Sequence, residues 1–176
     1  MTKQIDQIKT SASAKSLEVL EEINWDSTSP IDPFAIAKSK NIEVIFSAMP
    51  QELSGFIQKD TNGKVKIHIS AIDPVTRKKF TCAHELGHFY QEQYNATRKR
   101  SPSKDPSYMF VESKGQKQDY SEIYADEFAG NLLMPTSLIK SILNADPAIS
   151  IKELATKLEM SVQSTSIRLQ NLGYIS

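Results

Sequence analysis

The sequence predicts an α+β fold: a small antiparallel sheet of about three strands, packed against a central helix and further helices. A C-terminal helix-turn-helix-like segment closes it. Three observations carry this expectation. Between Ile42 and Ser70, short runs alternate apolar and polar residues around an Asn62-Gly63 turn signal. From Pro74 onward the apolar spacing changes to that of helices. The last thirty residues hold two short helical patterns separated by Glu159-Met160.

A chain of 176 residues is long enough for one domain with a real core and a small appendage. The expected division is 1–146 for the main domain and 147–176 for a helical tail packed on it. Lys plus Arg equals Asp plus Glu at 21 each, so overall charge draws the chain to neither nucleic acid nor membrane. The single Cys82 excludes an intramolecular disulfide and suits a reducing compartment. No apolar run approaches a membrane span, and Met1 to Asp6 lacks the apolar stretch of a signal peptide. These readings predict a soluble, cytoplasmic protein.

Taken in order, Ile5, Ile8, Leu17, Leu20 and Ile23 mark an amphipathic helix with a weakly patterned middle at Ser11 to Ala14. After the loop at Asp26 to Pro30, Asp32 and Pro33 signal a short helix to Ser39, with Phe34, Ile36 and Ala37 facing inward. Ile42 to Phe46 has strand character. Ser54–Lys59 and Val65–Ser70 form a hairpin about Asn62-Gly63, and the strand ending near Ser70 is a candidate edge for an extended partner.

Asp73 as N-cap and Pro74 in the first turn open the central helix, expected to reach about Tyr94. Asn95 to Gln118 is polar and carries Arg98, Lys99, Arg100, Lys104, Lys114 and Lys117 against Asp105 and Glu112, a net of +4. It reads as a solvated loop, with Tyr108-Met109-Phe110-Val111 pinning its middle to the body or touching a partner. Asp119 to Leu133 is a second strong helix, with Tyr124, Phe128 and Leu132 in one apolar stripe. Met134-Pro135 ends it, and Thr136 to Asn144, Ile151 to Leu158 and Ser161 to Leu169 follow as short helices.

The chemistry-bearing stretch is Thr81-Cys82-Ala83-His84-Glu85-Leu86-Gly87-His88. Four residues apart on a helix, His84 and His88 stand on one face and can bind one Zn²⁺, with Glu85 beside them as general base for water. Gly87 costs about 1 kcal/mol in a helix interior relative to Ala, which close approach of another backbone, or of a substrate over the metal, would explain, as would chance. A catalytic zinc needs a third protein ligand. Cys82 lies about 200° round the helix from His84 and is expected in the core. His68 sits on the polar face of a strand. Glu122 on the second helix could complete a His₂Glu set, although Asp119 and Glu122 also have capping-box spacing. Asp126, one turn on, could accept the outward N–H of a ligating His.

His84-Glu85-Leu86-Gly87-His88 followed by Glu122-x-x-x-Asp126 resembles the gluzincin arrangement of zinc metallopeptidases. More narrowly, Lys79–His88 and Glu122–Pro135 resemble the ImmA/IrrE family, with weaker similarity at Pro33–Ala37 and Leu154–Gly173. That resemblance implies a zincin-like core and a cytoplasmic zinc peptidase. Its implied substrate is a helix-turn-helix repressor or antitoxin, cleaved to relieve repression in a mobile-element, stress or toxin–antitoxin-like locus. By motif position, His84, His88 and Glu122 would be metal ligands and Glu85 the general base, with Asp126 behind the ligands. The 95–118 stretch is longer than usual for the family, and a further His after the motif helix is absent. Tyr90, Tyr94, Tyr120 and Tyr124 are candidate oxyanion donors by proximity in sequence.

The tail has a net charge of only +1, with Arg168 alone in its second helix, so packing is expected over DNA contact. The alternative function is a metal-dependent regulator that sequesters such a partner without cutting it. Zn²⁺ is the expected ion, with Mn²⁺ also compatible with a His₂Glu set.

Overall fold

The computed structural model describes residues 2–98, 108–113 and 120–176, for 2, 93–98 and 108–113 the backbone alone. The elements are α1 (Thr2–Glu22), α2 (Pro33–Ser39), β1 (Glu43–Ser47), β2 (Leu53–Lys59), β3 (Val65–Ser70) and α3 (Val75–Arg98). After them come β4 (Tyr108–Ser113), α4 (Tyr120–Leu133), α5 (Thr136–Ala145), α6 (Ile151–Lys157) and α7 (Val162–Asn171). The fold is therefore mixed α+β, as the sequence predicts.

The sheet departs from the expected one in two ways. It has four strands in the order β1-β3-β2-β4, and it is not wholly antiparallel, because β1 pairs with β3 in parallel. Chain direction explains this. The chain reverses between β1 and β2 and again between β2 and β3, so β1 and β3 run the same way. The other edge of β2 is taken by β4. Hence β3 is interior, flanked on both sides, and cannot accept an added strand; the edges are β1 and β4.

The hairpin is also longer than the two-residue turn expected at Asn62-Gly63. Asp60 N–H donates to Lys64 O at 3.0 Å and Gly63 N–H to Asp60 O at 2.9 Å, leaving a three-residue loop. The Asp60 carboxylate accepts from the backbone N–H groups of Asn62 and Lys64, each at 2.9 Å, which favours this turn over the shorter one.

The four apolar residues Tyr108 to Val111 join the body through backbone pairing, as β4 against β2. Lys99, Arg100, Lys104, Lys114 and Lys117 of the basic stretch lie outside the described residues, as does Asp119 of the expected capping box.

In α1 the weakly patterned middle is continuous helix. Ala12 and Ser16 are fully buried there, and Ser13 donates to Asn131 Oδ1 on α4 at 3.3 Å. Small side chains make this face, so hydrophobic periodicity alone understates it. In α2 the buried side chains are Pro33, Ile36 and Ala37, while Phe34 is partly buried and meets Phe46 edge-on at 5.8 Å. The stripe Tyr124, Phe128 and Leu132 is buried as expected. The central helix begins at Val75, with Pro74 O accepting from Lys78 N–H, and Asp73 Oδ2 is buried without a partner among the described residues.

Arg168 on α7 is 5% exposed. Its guanidinium donates to Met134 O at 3.1 Å and Asn131 Oδ1 at 2.8 Å, tying α7 to the end of α4. Leu154, Leu158, Met160 and Leu169 of the tail belong to the same apolar core as α3 and α4. Among the described residues no helix is long and apolar enough to cross a membrane.

Candidate metal centre

The centre is built where α3 and α4 cross. Gly87 is the point of contact: a Cβ there would stand 2.8 Å from Ala125 Cα and 3.2 Å from Ala125 O. The glycine therefore does what its helix-breaking cost suggested, letting one backbone come against another. Ala125 lies between Glu122 and Asp126 in the α4 sequence, so the same close approach carries both carboxylates to the histidine face of α3.

His84, His88 and Glu122 come together, with one donor atom from each lying within 4.8 Å of the others. His84 Nε2 is 3.2 Å from Glu122 Oε2, and His88 Nε2 is 3.3 Å from Glu122 Oε1. The two imidazole nitrogens are 3.1 Å apart. Tetrahedral zinc with bonds of about 2.0–2.1 Å requires neighbouring donors about 3.3 Å apart, so the donor set fits such an ion. Both histidines are 1% exposed, whereas the Glu122 side chain keeps 26% of its surface. The hydrogen bonds from His84 and then His88 hold the Glu122 carboxyl far below the usual carboxylate range.

Asp126 stands on the other side of the His84 ring, its Oδ1 2.9 Å from His84 Nδ1. A carboxylate only accepts, so Nδ1 of His84 carries a proton toward Asp126, and with an ion bound Nε2 would present its lone pair to the cluster. Replacing Asp126 by Ala is expected to weaken zinc affinity about 10–100-fold, measured by competition with a chromophoric chelator. Asp126→Asn, which keeps an acceptor, is expected to lose less. Equal affinity in wild type and Asp126→Ala would mean that packing alone orients His84.

Glu85 is fully buried on the next face of α3, about 100° from His84. The residue that closes over it is Gly55 of β2. A Cβ on Gly55 would stand 2.4 Å from Thr81 Cγ2 and 3.8 Å from Glu85 Oε1. Sequence reasoning missed Gly55, although a lone glycine in a strand is a signal of close approach or a bulge. Both occur here, since the β2–β4 register shifts between Leu53 and Gly55.

The remaining candidates are placed elsewhere. Cys82 is buried in the core, and burial pushes its thiol up, which suits a structural rather than reactive role. His68 stacks on Phe56 at 4.4 Å, and burial lowers its pKa. Tyr90 and Tyr124 pack around Phe128, and Tyr120 donates to Gln4 Oε1 at 3.2 Å. The Tyr94 side chain lies outside the described residues.

Two histidines and a carboxylate converging beside a buried glutamate define a candidate divalent-metal centre on an α+β frame. The family model Peptidase_M78, described as an IrrE N-terminal-like domain, matches residues 37–170. The chain belongs to that peptidase family. The match runs from the end of α2 through both central helices and most of α7. No curated protein matches the chain closely enough to count as a relative.

Proposed function

We propose that this protein is a zincin-like, zinc-dependent endopeptidase that cleaves a helix-turn-helix repressor or antitoxin at a specific site and so relieves repression. The observation that carries the reading is the convergence of His84, His88 and Glu122 within 4.8 Å on two crossed helices. Membership of a peptidase family supports it. The substrate class rests on the resemblance of the two motifs to ImmA/IrrE proteins, whose loci include mobile elements, stress responses and toxin–antitoxin-like pairs. The reading places the protein in the cytoplasm, where a lone buried cysteine stays reduced.

The geometry supports a role for each residue. His84, His88 and Glu122 would hold the ion, Zn²⁺ or another divalent such as Mn²⁺ according to availability. When bound, such an ion supplies Lewis acidity, polarising the scissile carbonyl and making water a stronger acid. Asp126 keeps the His84 proton on Nδ1 and the Nε2 lone pair toward the ion. Glu85 takes a proton from the attacking water on a carboxylate oxygen and delivers it to the leaving amine. Gly55 and Thr81 pack close to that carboxylate and limit bulk water around it.

The test is incubation of metal-loaded protein with the helix-turn-helix protein encoded beside it. Cleavage at one bond, abolished by a chelator and restored by zinc, is the expected result. Tight binding without cutting would favour the sequestering regulator instead.

A further inference from the structure

A cavity of about 830 Å³ opens between α1, α3, α4 and α7. That size is within the range of natural ligand pockets, about 300–1,000 Å³. Among the described residues, none of His84, Glu85, His88 or Glu122 lines it, but Asp126 does. The cavity therefore reaches the metal centre from behind the His84 ring, away from the atoms that would react.

Its lining indicates what it takes. Phe80, Ile123, Met134 and Ile167 give apolar wall, and Ser164 and Asn171 offer both donors and acceptors. Charges of both signs face it and each has a partner: Lys9 lies 3.9 Å from Glu127, Asp126 lies against His84 Nδ1, Arg77 donates to Ser54 Oγ, and Arg168 donates to Met134 O and Asn131. Such a wall selects neither an anion nor a cation. It suits a polyamide chain with apolar side chains.

Gly130 is a second, independent sign. It lines the cavity from the interior of α4, and no atom lies within 4 Å of where its Cβ would be. Glycine inside a helix is destabilising and no packing neighbour requires it here, and its missing side chain leaves this stretch of wall open. Ile167 of the wall is itself 49% exposed, so the apolar lining continues to the surface there.

We infer that this cavity is an exosite that holds a peptide segment of the cleaved protein at a distance from the scissile bond, with α7 as one of its walls. The inference rests on the peptidase reading. It gives the tail a role in substrate recognition.

The experiment uses the full, zinc-loaded chain carrying Glu85→Gln, so that the bound protein stays uncut. The probe is the fluorescently labelled helix-turn-helix protein encoded beside this chain, followed by anisotropy. Adding Gly130→Leu, which fills the cavity, is expected to weaken binding about tenfold or more, the loss typical of a blocked anchor, with zinc content unchanged. Ile167→Glu, at a half-exposed position that leaves the core alone, is expected to do the same. No binding by the Glu85→Gln chain, or equal affinity in both cavity variants, would overturn the exosite. Wild-type cleavage measured in parallel separates the two ideas. Binding that depends on the cavity, with no cutting by wild type, would remove the peptidase reading and leave the docking site.

Discussion

Replacing Glu85 by Gln is expected to reduce cleavage about 10²–10⁴-fold while leaving zinc content and melting temperature close to those of wild type. The side chain keeps its size and one carbonyl oxygen but can no longer take a proton from water. Glu85 is not one of the three donors, so the ion keeps its ligands. Single-turnover kinetics against the helix-turn-helix protein would measure the loss, and metal analysis of the same sample would show that it is chemical. A fall of less than about tenfold, outside the range of general acid–base catalysis, would take the base role away from Glu85.

Substitution of Gly87 is expected to damage the centre without touching any of its polar groups. In Gly87→Ala the new methyl meets Ala125 Cα at 2.8 Å, and that neighbour is backbone, which cannot rotate away. Separating the helices costs about 1–3 kcal/mol by overpacking, against a helix-propensity gain of about 1 kcal/mol. The larger effect falls on the site, because any shift of Ala125 moves Glu122 and Asp126 with it. Zinc affinity is expected to fall at least as much as in Asp126→Ala. Gly130→Ala supplies the contrast on the same pair of helices. Its Cβ has open space, so the propensity gain should appear as added stability of up to about 1 kcal/mol. Thermal melts of the two variants would show opposite signs, with zinc affinity lost in Gly87→Ala alone; matching gains in stability would mean that the crossing is looser than these contacts require.

Much of the site was legible because helical periodicity converts spacing directly into geometry. Residues four apart share a face, so His84 with His88, and Glu122 with Asp126, could be placed before any contact was known. The cost of a mid-helix glycine pointed to close approach at Gly87, and the structure supplies Ala125 as the neighbour. What escaped depends on contacts distant in sequence. The parallel pairing of β1 with β3 follows from which edge of the hairpin is free, which no local pattern encodes. Gly55 gains its meaning only when β2 lies against Thr81 and Glu85. On the buried face of α1, Ser13 bonds to Asn131 of α4 between Ala12 and Ser16, residues too small to register as a hydrophobic stripe. The hairpin turn went the other way: Asn62-Gly63 is a strong local signal, yet the Asp60 carboxylate holds a longer loop.

The measurement that bears most directly on the account is zinc binding by the purified chain, by titration against a chromophoric chelator and by elemental analysis. One ion per chain is expected in wild type and in His68→Ala, with stoichiometric binding lost in His84→Ala, His88→Ala and Glu122→Ala. Failure of the wild-type chain to bind a divalent ion, or undiminished affinity after Glu122→Ala, would contradict a metal centre built from α3 and α4.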